Sequence, residues 1–330
     1  MWALSAEASP QLRNLGGERR RMSSGGPTSN ETRLIARGID GEVQASFLLS
    51  QVPESELDDI ACPVCDSHRR RLLFVEREFP VHRCQACTHM YVSPQPSQAV
   101  LDAYYAASYL PRTEDETVWE GTRGSPYDAA ARAIAERTPA RGDLLDVGSG
   151  FGGFLARAGQ DGWRLHGVDP SESAFRSCRR RFGKQMELHQ GAFEHAQLQP
   201  ESFDCITMLN VIEHVRQPKR LCEQAFVLLR PGGCLALRWP QRVLRGTLSA
   251  APAHLHGFTG RSITRMLELV GYVRTREYWA GMQDYSRARL PQRLAASVLG
   301  WAGKLTIACT FGHAQIPFVT RLTLAHKPAS

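Results

Sequence analysis

A glycine-rich loop between an apolar strand and a helix is the feature that most restricts how this chain can fold. Leu144–Val147 form a short apolar run, and glycines follow in the pattern G-x-G-x-x-G at Gly148, Gly150 and Gly153. Glycines permit a tight turn and a close backbone approach to a ligand, and the helix that follows offers free N–H groups. Asp169 closes the next apolar run, where a carboxylate can accept hydrogen bonds from a ribose diol. The loop therefore predicts a nucleotide-binding βαβ unit.

Short apolar runs alternate with helical stretches from Asp128 onward, which is typical of βαβ units and a mainly parallel sheet. The apolar runs are Leu144–Val147, Leu165–Val168, Phe203–Leu209, Cys234–Trp239, Tyr272–Tyr278 and Phe318–Leu324. Helices are predicted over residues 151–161, 171–182, 217–229, 262–270 and 289–304. The predicted fold class is therefore α/β, with a Rossmann-like sheet in residues 128–330.

Two features favour S-adenosylmethionine over a dinucleotide as the ligand of this loop. Asp146 lies two residues before the first glycine. A carboxylate there can bind the cationic amino end of a methionine moiety, whereas it would repel a pyrophosphate because like charges repel. Only one mononucleotide-binding half follows, and a dinucleotide requires two. We therefore expect S-adenosylmethionine as the cofactor.

Four motifs together resemble the class I S-adenosylmethionine-dependent methyltransferases. They are D-V-G-S-G-F-G at 146–152, G-V-D-P-S at 167–171, F-D-C-I-T-M-L-N-V-I-E-H-V at 203–215 and L-L-R-P-G-G at 228–233. The resemblance is closest to the branch of ubiquinone-biosynthesis O-methyltransferases and the methyltransferases of glycan and secondary-metabolite clusters. It covers about residues 128–280 and implies a seven-stranded sheet with one antiparallel strand.

The resemblance also implies which residues bind the cofactor. The glycine loop and Asp146 would contact its methionine end, and Asp169 its ribose. The adenine is expected near residues 191–194, where Ala192 replaces an aspartate that is frequent in the family. Phe193 would contribute stacking or a backbone contact there. The predicted cofactor-binding residues are Asp146, Gly148, Ser149, Gly150, Asp169, Ala192, Phe193 and Asn210.

A base that removes a proton from the methyl acceptor is expected at the carboxyl ends of the fourth and fifth strands. Glu213 and His214 follow the fourth strand directly, and histidine suits proton abstraction near neutral pH. The alternative is that this pair caps the next helix. His254, before the helix over 262–270, is the second candidate base, with a solvated loop histidine as its alternative.

A catalytic metal is not predicted beside this pair. The resemblance to the ubiquinone-pathway enzymes implies that Glu213 and His214 would join an acidic residue three positions upstream to bind a divalent metal. That position is Asn210 in this chain. Loss of one carboxylate weakens a site for a hard cation.

Two C-x2-C pairs, Cys62–Cys65 and Cys84–Cys87, have the spacing of a structural zinc site. Leu72–Glu78 and His89–Val92 are predicted as strands, which suits a zinc ribbon over residues 58–93; free thiols or disulfides are the alternative. About 30 residues cannot build their own core, so zinc would supply much of the folding free energy. Four cysteine ligands leave no open position for catalysis. The run C-Q-A-C-T-H-M-Y-V-S-P-Q-P resembles the ribbon that precedes many glycan-cluster methyltransferases. The predicted zinc ligands are Cys62, Cys65, Cys84 and Cys87.

The remaining regions carry weaker signals. Residues 1–42 are rich in Ser, Gly, Asn and Arg and are predicted to be disordered. Residues 94–127 are predicted as a helical linker or lid. No secretory signal is evident, and no stretch reaches the roughly 20 apolar residues of a membrane span, so a cytoplasmic protein is expected.

Three functions are compatible with these patterns. The first is O-methylation of a small molecule, such as a sugar, a nucleotide-sugar or another metabolite. The second is RNA methylation with the ribbon gripping nucleic acid, which the net charge of +7 would suit. The third is a non-catalytic scaffold that binds the cofactor. The sequence lacks the N-P-P-Y-type tetrad and the interleaved aromatic and basic residues that would support RNA methylation. The intact glycine loop and Asp169 disfavour the non-catalytic scaffold.

Overall fold

The structure, a computed structural model, describes residues 48–109, 116–138, 141–241, 254–282 and 319–329. Its strands are β1 (Leu57–Asp58), β2 (Arg70–Glu76), β3 (Phe79–Cys84), β4 (Met90–Val92), β5 (Gln95–Pro96), β6 (Asp143–Val147), β7 (Arg164–Asp169), β8 (Met186–Gln190), β9 (Phe203–Leu209), β10 (Leu229–Pro240), β11 (His256–Gly257), β12 (Val273–Met282) and β13 (Val319–His326). Its helices are α1 (Gln98–Tyr109), α2 (Glu116–Arg137), α3 (Gly153–Gly159), α4 (Glu172–Phe182), α5 (Pro218–Leu228) and α6 (Gly260–Val270).

Seven strands form the central sheet in the order β12-β13-β10-β9-β6-β7-β8. β13 runs antiparallel to its neighbours β12 and β10. The pairs β10–β9, β9–β6, β6–β7 and β7–β8 are parallel. This arrangement confirms the expected α/β sheet of seven strands with one antiparallel strand. β8 was not among the predicted apolar runs because it lies at the sheet edge, where only Met186 of its five residues is buried.

Alternate residues of the inner strands pack on opposite faces of this sheet. On β6, Leu145 packs into a core with α5 and α6, whereas Leu144 packs into a second core with α2 and α3. Four of the five residues of β6 are buried. Burial on both faces explains why these strands appear in the sequence as continuous apolar runs rather than as alternating patterns.

The helices agree with the sequence pattern within a few residues where the structure describes them. α3, α4, α5 and α6 correspond to the predictions over 151–161, 171–182, 217–229 and 262–270. α2 runs through residue 127, the predicted boundary between linker and large domain, and packs on α3 and β12. The disordered segment predicted over 1–42 and the helix predicted over 289–304 lie outside the described residues.

The cysteine ribbon forms a smaller sheet in the order β11-β4-β3-β2. β2, β3 and β4 come from the ribbon itself, but β11 comes from the large domain, with His256 opposite Tyr91 and Gly257 opposite Met90. Ion pairs between Arg216 and Asp58 and between Lys219 and Asp66 join the same two parts. The ribbon therefore shares a sheet with the large domain. No helix of the described residues has both the length and the apolarity that a membrane crossing needs.

Candidate active site

The glycine loop connects β6 to α3 in the conformation that its sequence predicts. Gly148 and Gly150 have left-handed φ angles of +70° and +51°. The Gly148 and Ser149 N–H groups donate to the Val168 carbonyl oxygen at 2.8 and 3.2 Å. A Cβ atom at Gly148 would lie 2.6 Å from Val211 Cγ2, whereas one at Gly150 would meet no atom within 4 Å. The loop is therefore tight at Gly148 and faces open space at Gly150.

Asp169 lies at the end of β7, directly beside this loop. Its Oδ2 accepts a hydrogen bond from the Gly150 N–H at 2.8 Å, and its Oδ1 accepts one from the Ser171 N–H at 2.8 Å. Burial raises the pKa of this half-buried carboxyl. Each oxygen of a carboxylate has a further lone pair, so Asp169 can still accept two bonds from a ribose diol.

Asp146 lies on β6 below the loop and is 3% exposed. Its Oδ1 accepts a hydrogen bond from Thr207 Oγ1 at 2.6 Å. Burial raises its pKa to about 7, and the charge of Asp169 adds to the effect. A cationic group placed beside this carboxylate would favour its charged form. The chemistry of Asp146 therefore suits the ammonium group of a bound amino acid moiety.

The segment after β8 is the place expected for adenine contacts. Ala192 precedes a short 3₁₀ turn, Phe193–His195. The Phe193 ring is 4% exposed and packs in the core, and its carbonyl oxygen accepts a bond from Gln224 Nε2 at 2.7 Å. This burial favours a backbone contact over ring stacking as the contribution of Phe193. The open space at Gly150 and the carboxylates of Asp146 and Asp169 together fit S-adenosylmethionine.

The three predicted catalytic residues lie close together in the structure. Glu213, His214 and His254 each place one potential ligand atom within 4.8 Å of the other two. The His214 and His254 rings meet edge to face with centroids 4.6 Å apart. Tyr105 of α1 places its hydroxyl oxygen 3.1 Å from His214 Nδ1. The His214 side chain is 28% exposed and that of Glu213 is 1% exposed, so His214 is the more accessible of the two.

Asn210 holds Glu213 in place from the end of β9. It adopts a left-handed φ of +61°, and its N–H donates to the Arg238 carbonyl oxygen at 2.8 Å. Its Nδ2 donates to Glu213 Oε1 at 2.9 Å, and Arg238 Nη1 donates to its Oδ1. Asn210, which was predicted to bind the cofactor, thus forms side-chain hydrogen bonds with Glu213 and Arg238. α5 begins at Pro218 with Gln217 as its N-cap residue, so Glu213 and His214 do not cap it.

A metal ion is a chemical option for Glu213, His214 and His254. Glu213 Oε2 is buried and accepts no hydrogen bond from any residue that the structure describes. One carboxylate and two imidazoles suit a transition metal better than magnesium or calcium, which prefer oxygen ligands. His254 is a third donor that the spacing along the chain could not reveal.

The four cysteines of the ribbon have the arrangement that zinc requires. Cys62 Sγ lies 3.5 Å from Cys87 Sγ, and Cys65 Sγ lies 3.6 Å from Cys84 Sγ. Zn–S bonds of about 2.3 Å in a tetrahedron place sulfurs roughly 3.8 Å apart, whereas a disulfide needs about 2.05 Å. All four ligand atoms lie within 4.8 Å of one another, so the residues present fit a structural zinc ion.

Three contributors to the site were missed from the sequence. Thr207 lies opposite Asp146 in the parallel pair β6–β9, and strand register could have indicated it. Tyr105 reaches His214 from α1, and Arg238 reaches Asn210 from β10. Neither of these contacts leaves a signal in the local sequence.

Comparison with known proteins agrees with this geometry. Residues 145–235 match a family model described as a methyltransferase domain. A probable S-adenosylmethionine-dependent methyltransferase of Mycolicibacterium smegmatis is 25% identical over 49% of this chain and 62% of its own length. A ubiquinone biosynthesis O-methyltransferase of Idiomarina loihiensis is 38% identical over 27% of this chain and 39% of its own length. The chain thus covers less than two thirds of these relatives.

Solved structures share the fold at low sequence identity. Phosphoethanolamine N-methyltransferase 2 of Haemonchus contortus superposes with a TM-score of 0.52 at 16% identity, over 73% of this chain and 63% of that one. The 1,6-didemethyltoxoflavin-N1-methyltransferase of Burkholderia thailandensis gives a TM-score of 0.51 at 14% identity, over 78% of this chain and 99% of that one.

Proposed function

Because the chain contains an S-adenosylmethionine-dependent methyltransferase domain, we propose that it O-methylates a small polar molecule such as a sugar, a nucleotide-sugar or another metabolite. The observation that carries this proposal is the group of Glu213, His214 and His254 beside the glycine loop. Val211, two residues before Glu213, lies against Gly148. The proposed base and the proposed cofactor site are therefore adjacent, as methyl transfer to a hydroxyl requires.

The cofactor side is proposed to bind and orient the methyl donor. When bound, S-adenosylmethionine supplies an electrophilic methyl group and retains the electron pair of the broken carbon–sulfur bond. Asp146 would hold the amino group of the methionine end, and Asp169 the ribose hydroxyls. These contacts align the methyl group without taking part in the proton transfer.

His214 is proposed as the base that removes the acceptor proton. The acceptor O–H bond breaks as its O–C bond forms, and the proton moves to His214 Nε2. Nε2 can accept this proton only if Nδ1 carries the ring hydrogen. Nδ1 then donates to the Tyr105 hydroxyl oxygen, 3.1 Å away. Tyr105 and the edge of His254 thus hold the ring in one orientation, and the Tyr105 hydroxyl can accept the hydrogen of the tautomer that the reaction needs.

The ribbon is proposed to bind zinc structurally and to support this small-molecule site. Its strand β4 pairs with β11, and its sulfur ligands are mostly buried. The face of the ribbon that carries Tyr91 and His89 is buried against the large domain, so it is closed to nucleic acid. This burial favours the small-molecule reaction over the RNA alternative.

Methyl-labelled cofactor and extract of the natural host test the proposal. The full chain is incubated with both, and RNA, protein, lipid and polar metabolites are separated. Label in the polar metabolites supports the proposal, provided that Asp169→Ala abolishes it and the surface variant Asp102→Ala retains it. Label in RNA would overturn the acceptor class. Tight binding of S-adenosylhomocysteine without any transfer would favour the scaffold.

A further inference from the structure

We propose that His89 of the cysteine ribbon is a positioning residue. Through His256, it holds in place the two segments that carry His214 and His254, which we call the acceptor side. The name acceptor side rests on the proposed function; the bridge itself rests on geometry alone. His89 belongs to neither the cofactor site nor the four cysteine ligands. It therefore gives the ribbon a role in building the site, beyond its own folding.

The bridge is a continuous line of hydrogen bonds between two distant parts of the chain. His89 Nε2 lies 3.2 Å from His256 Nδ1. His256 Nε2 lies 2.7 Å from the carbonyl oxygen of Val215, the residue after His214. One ring thus links the ribbon to the segment of the proposed base.

A parallel backbone path runs beside these rings. The Val92 N–H donates to the Leu255 carbonyl oxygen at 2.9 Å, and the Leu255 N–H donates to the Glu213 carbonyl oxygen at 2.8 Å. Leu255 separates His254 from His256. The ribbon strand β4 therefore contacts both segments of the acceptor side through one residue.

The direction of the hydrogen bonds follows from their end point. The Val215 carbonyl oxygen can only accept, so His256 Nε2 must carry the hydrogen. A charged ring is disfavoured at this buried position, and a neutral His256 with its hydrogen on Nε2 has a lone pair on Nδ1. His89 Nε2–H consequently donates to His256 Nδ1. A replacement for His89 must keep a donor at this position to preserve the bridge.

Burial argues that His89 is present for this hydrogen bond and not for packing. His89 is 0% exposed and His256 is 1% exposed. Nδ1 of His89 has no hydrogen-bond partner among the described residues. An apolar side chain could fill the space beside Phe258, whose ring centroid lies 4.8 Å away, without adding an unpaired nitrogen of its own, but it would leave His256 Nδ1 without its donor. The unpaired nitrogen is a cost that the hydrogen bond to His256 offsets.

The bridge also starts from a zinc knuckle. The Cys84 N–H donates to the His89 carbonyl oxygen at 2.8 Å, so a predicted zinc ligand fixes the backbone from which the His89 ring extends. The glycine loop, in contrast, bonds to Val168 and Asp169 of β7. Changes at His89 should therefore reach the acceptor side and spare the cofactor side.

Amide hydrogen exchange of the full chain, followed by mass spectrometry, tests this inference with a matched pair of variants. His89→Leu keeps the bulk and removes the donor, and His89→Gln keeps an N–H donor at nearly the same reach. We expect His89→Leu to speed exchange in residues 211–216 and 254–258 by about 3- to 10-fold, the worth of one buried hydrogen bond. His89→Gln should restore most of the protection. Calorimetry should show S-adenosylhomocysteine affinity within about twofold of the unmodified chain for both.

Three results would overturn the inference. The first is equal exchange in His89→Leu and the unmodified chain. The second is equal damage in both variants, which would mean that ring shape matters and the hydrogen bond does not. The third is loosening that extends to residues 148–153 with weaker cofactor binding. If His89→Leu does not fold, His89→Asn, whose shorter side chain cannot reach His256, replaces it. Amide hydrogen exchange requires no methyl acceptor, so this experiment can be interpreted even if the proposed methylation is wrong.

Discussion

The proposed cofactor side and the proposed acceptor side of this molecule are built in different ways. Asp146, the glycine loop and Asp169 come from one stretch of 24 residues, 146–169, and backbone N–H groups make several of the contacts. The acceptor side gathers side chains from α1, the segment after β9, the loop before α6 and the ribbon. A site made mainly by one βαβ unit depends chiefly on that unit, whereas a site made by four segments depends on their docking. The two sides should therefore fail separately.

Zinc removal should have the largest effect on the structure, and this effect should be confined to the ribbon and the acceptor side. Cys65→Ser, or chelation of the full chain, removes a structural site of a kind whose metal-binding free energy is on the order of 10 kcal/mol. Residues 58–93 should then become sensitive to protease. Zinc content by mass spectrometry and limited proteolysis measure both changes. Cys222→Ala, at a buried cysteine of α5, is the control and should keep its zinc; a zinc-free native chain would contradict the site.

His214→Gln should abolish most activity while sparing cofactor binding. Loss of a general base typically lowers kcat by about 10²- to 10⁴-fold. Once the acceptor is known, steady-state kinetics would measure this loss. A variant that kept full kcat would show that His254, Glu213 or a metal performs the proton transfer. Activity that also vanished with chelators too weak to strip the ribbon would point to a metal at these three residues.

Asp146→Asn should stabilise the cofactor-free protein and weaken cofactor binding. The folded pKa of about 7 lies above the model-peptide value of 3.8, so burial of this charge destabilises the fold increasingly as pH rises from about 4 to 7. Asn keeps an acceptor for Thr207 and carries no charge. Its gain in melting temperature should therefore be largest at pH 8 and disappear near pH 4. An equal gain at both pH values would contradict the assigned cause.

Tyr105→Phe should have the smallest effect, because the ring stays and only one hydrogen bond is lost. A net loss of about 1 kcal/mol corresponds to a roughly fivefold decrease in kcat. The pH profile of kcat should shift as well, since Tyr105 hydrogen-bonds to the ring of the proposed base His214. An unchanged rate and profile would remove Tyr105 from the reaction. Cofactor affinity should not change in either case.

The same contrast explains what the sequence could predict. Gly148, Gly150 and Asp169 follow rules of local conformation: both glycines have positive φ angles, and Asp169 accepts a hydrogen bond from the Gly150 N–H. The four cysteines were predicted as zinc ligands from their spacing along the chain alone. Tyr105, Arg238 and β11 depend on how remote segments dock, and a single sequence contains no pattern for that. β8 was missed for another reason, since an edge strand with one buried residue lacks an apolar run.

A calorimetric titration with S-adenosylhomocysteine tests the central claim most directly. It compares the unmodified chain with Asp169→Ala and His214→Gln. We predict equal affinity for the unmodified chain and His214→Gln, and a loss of about 100-fold for Asp169→Ala, the worth of two charge-assisted hydrogen bonds. No binding to the unmodified chain would contradict the assigned cofactor. Loss of binding in His214→Gln as large as in Asp169→Ala would contradict the separation of the two sides.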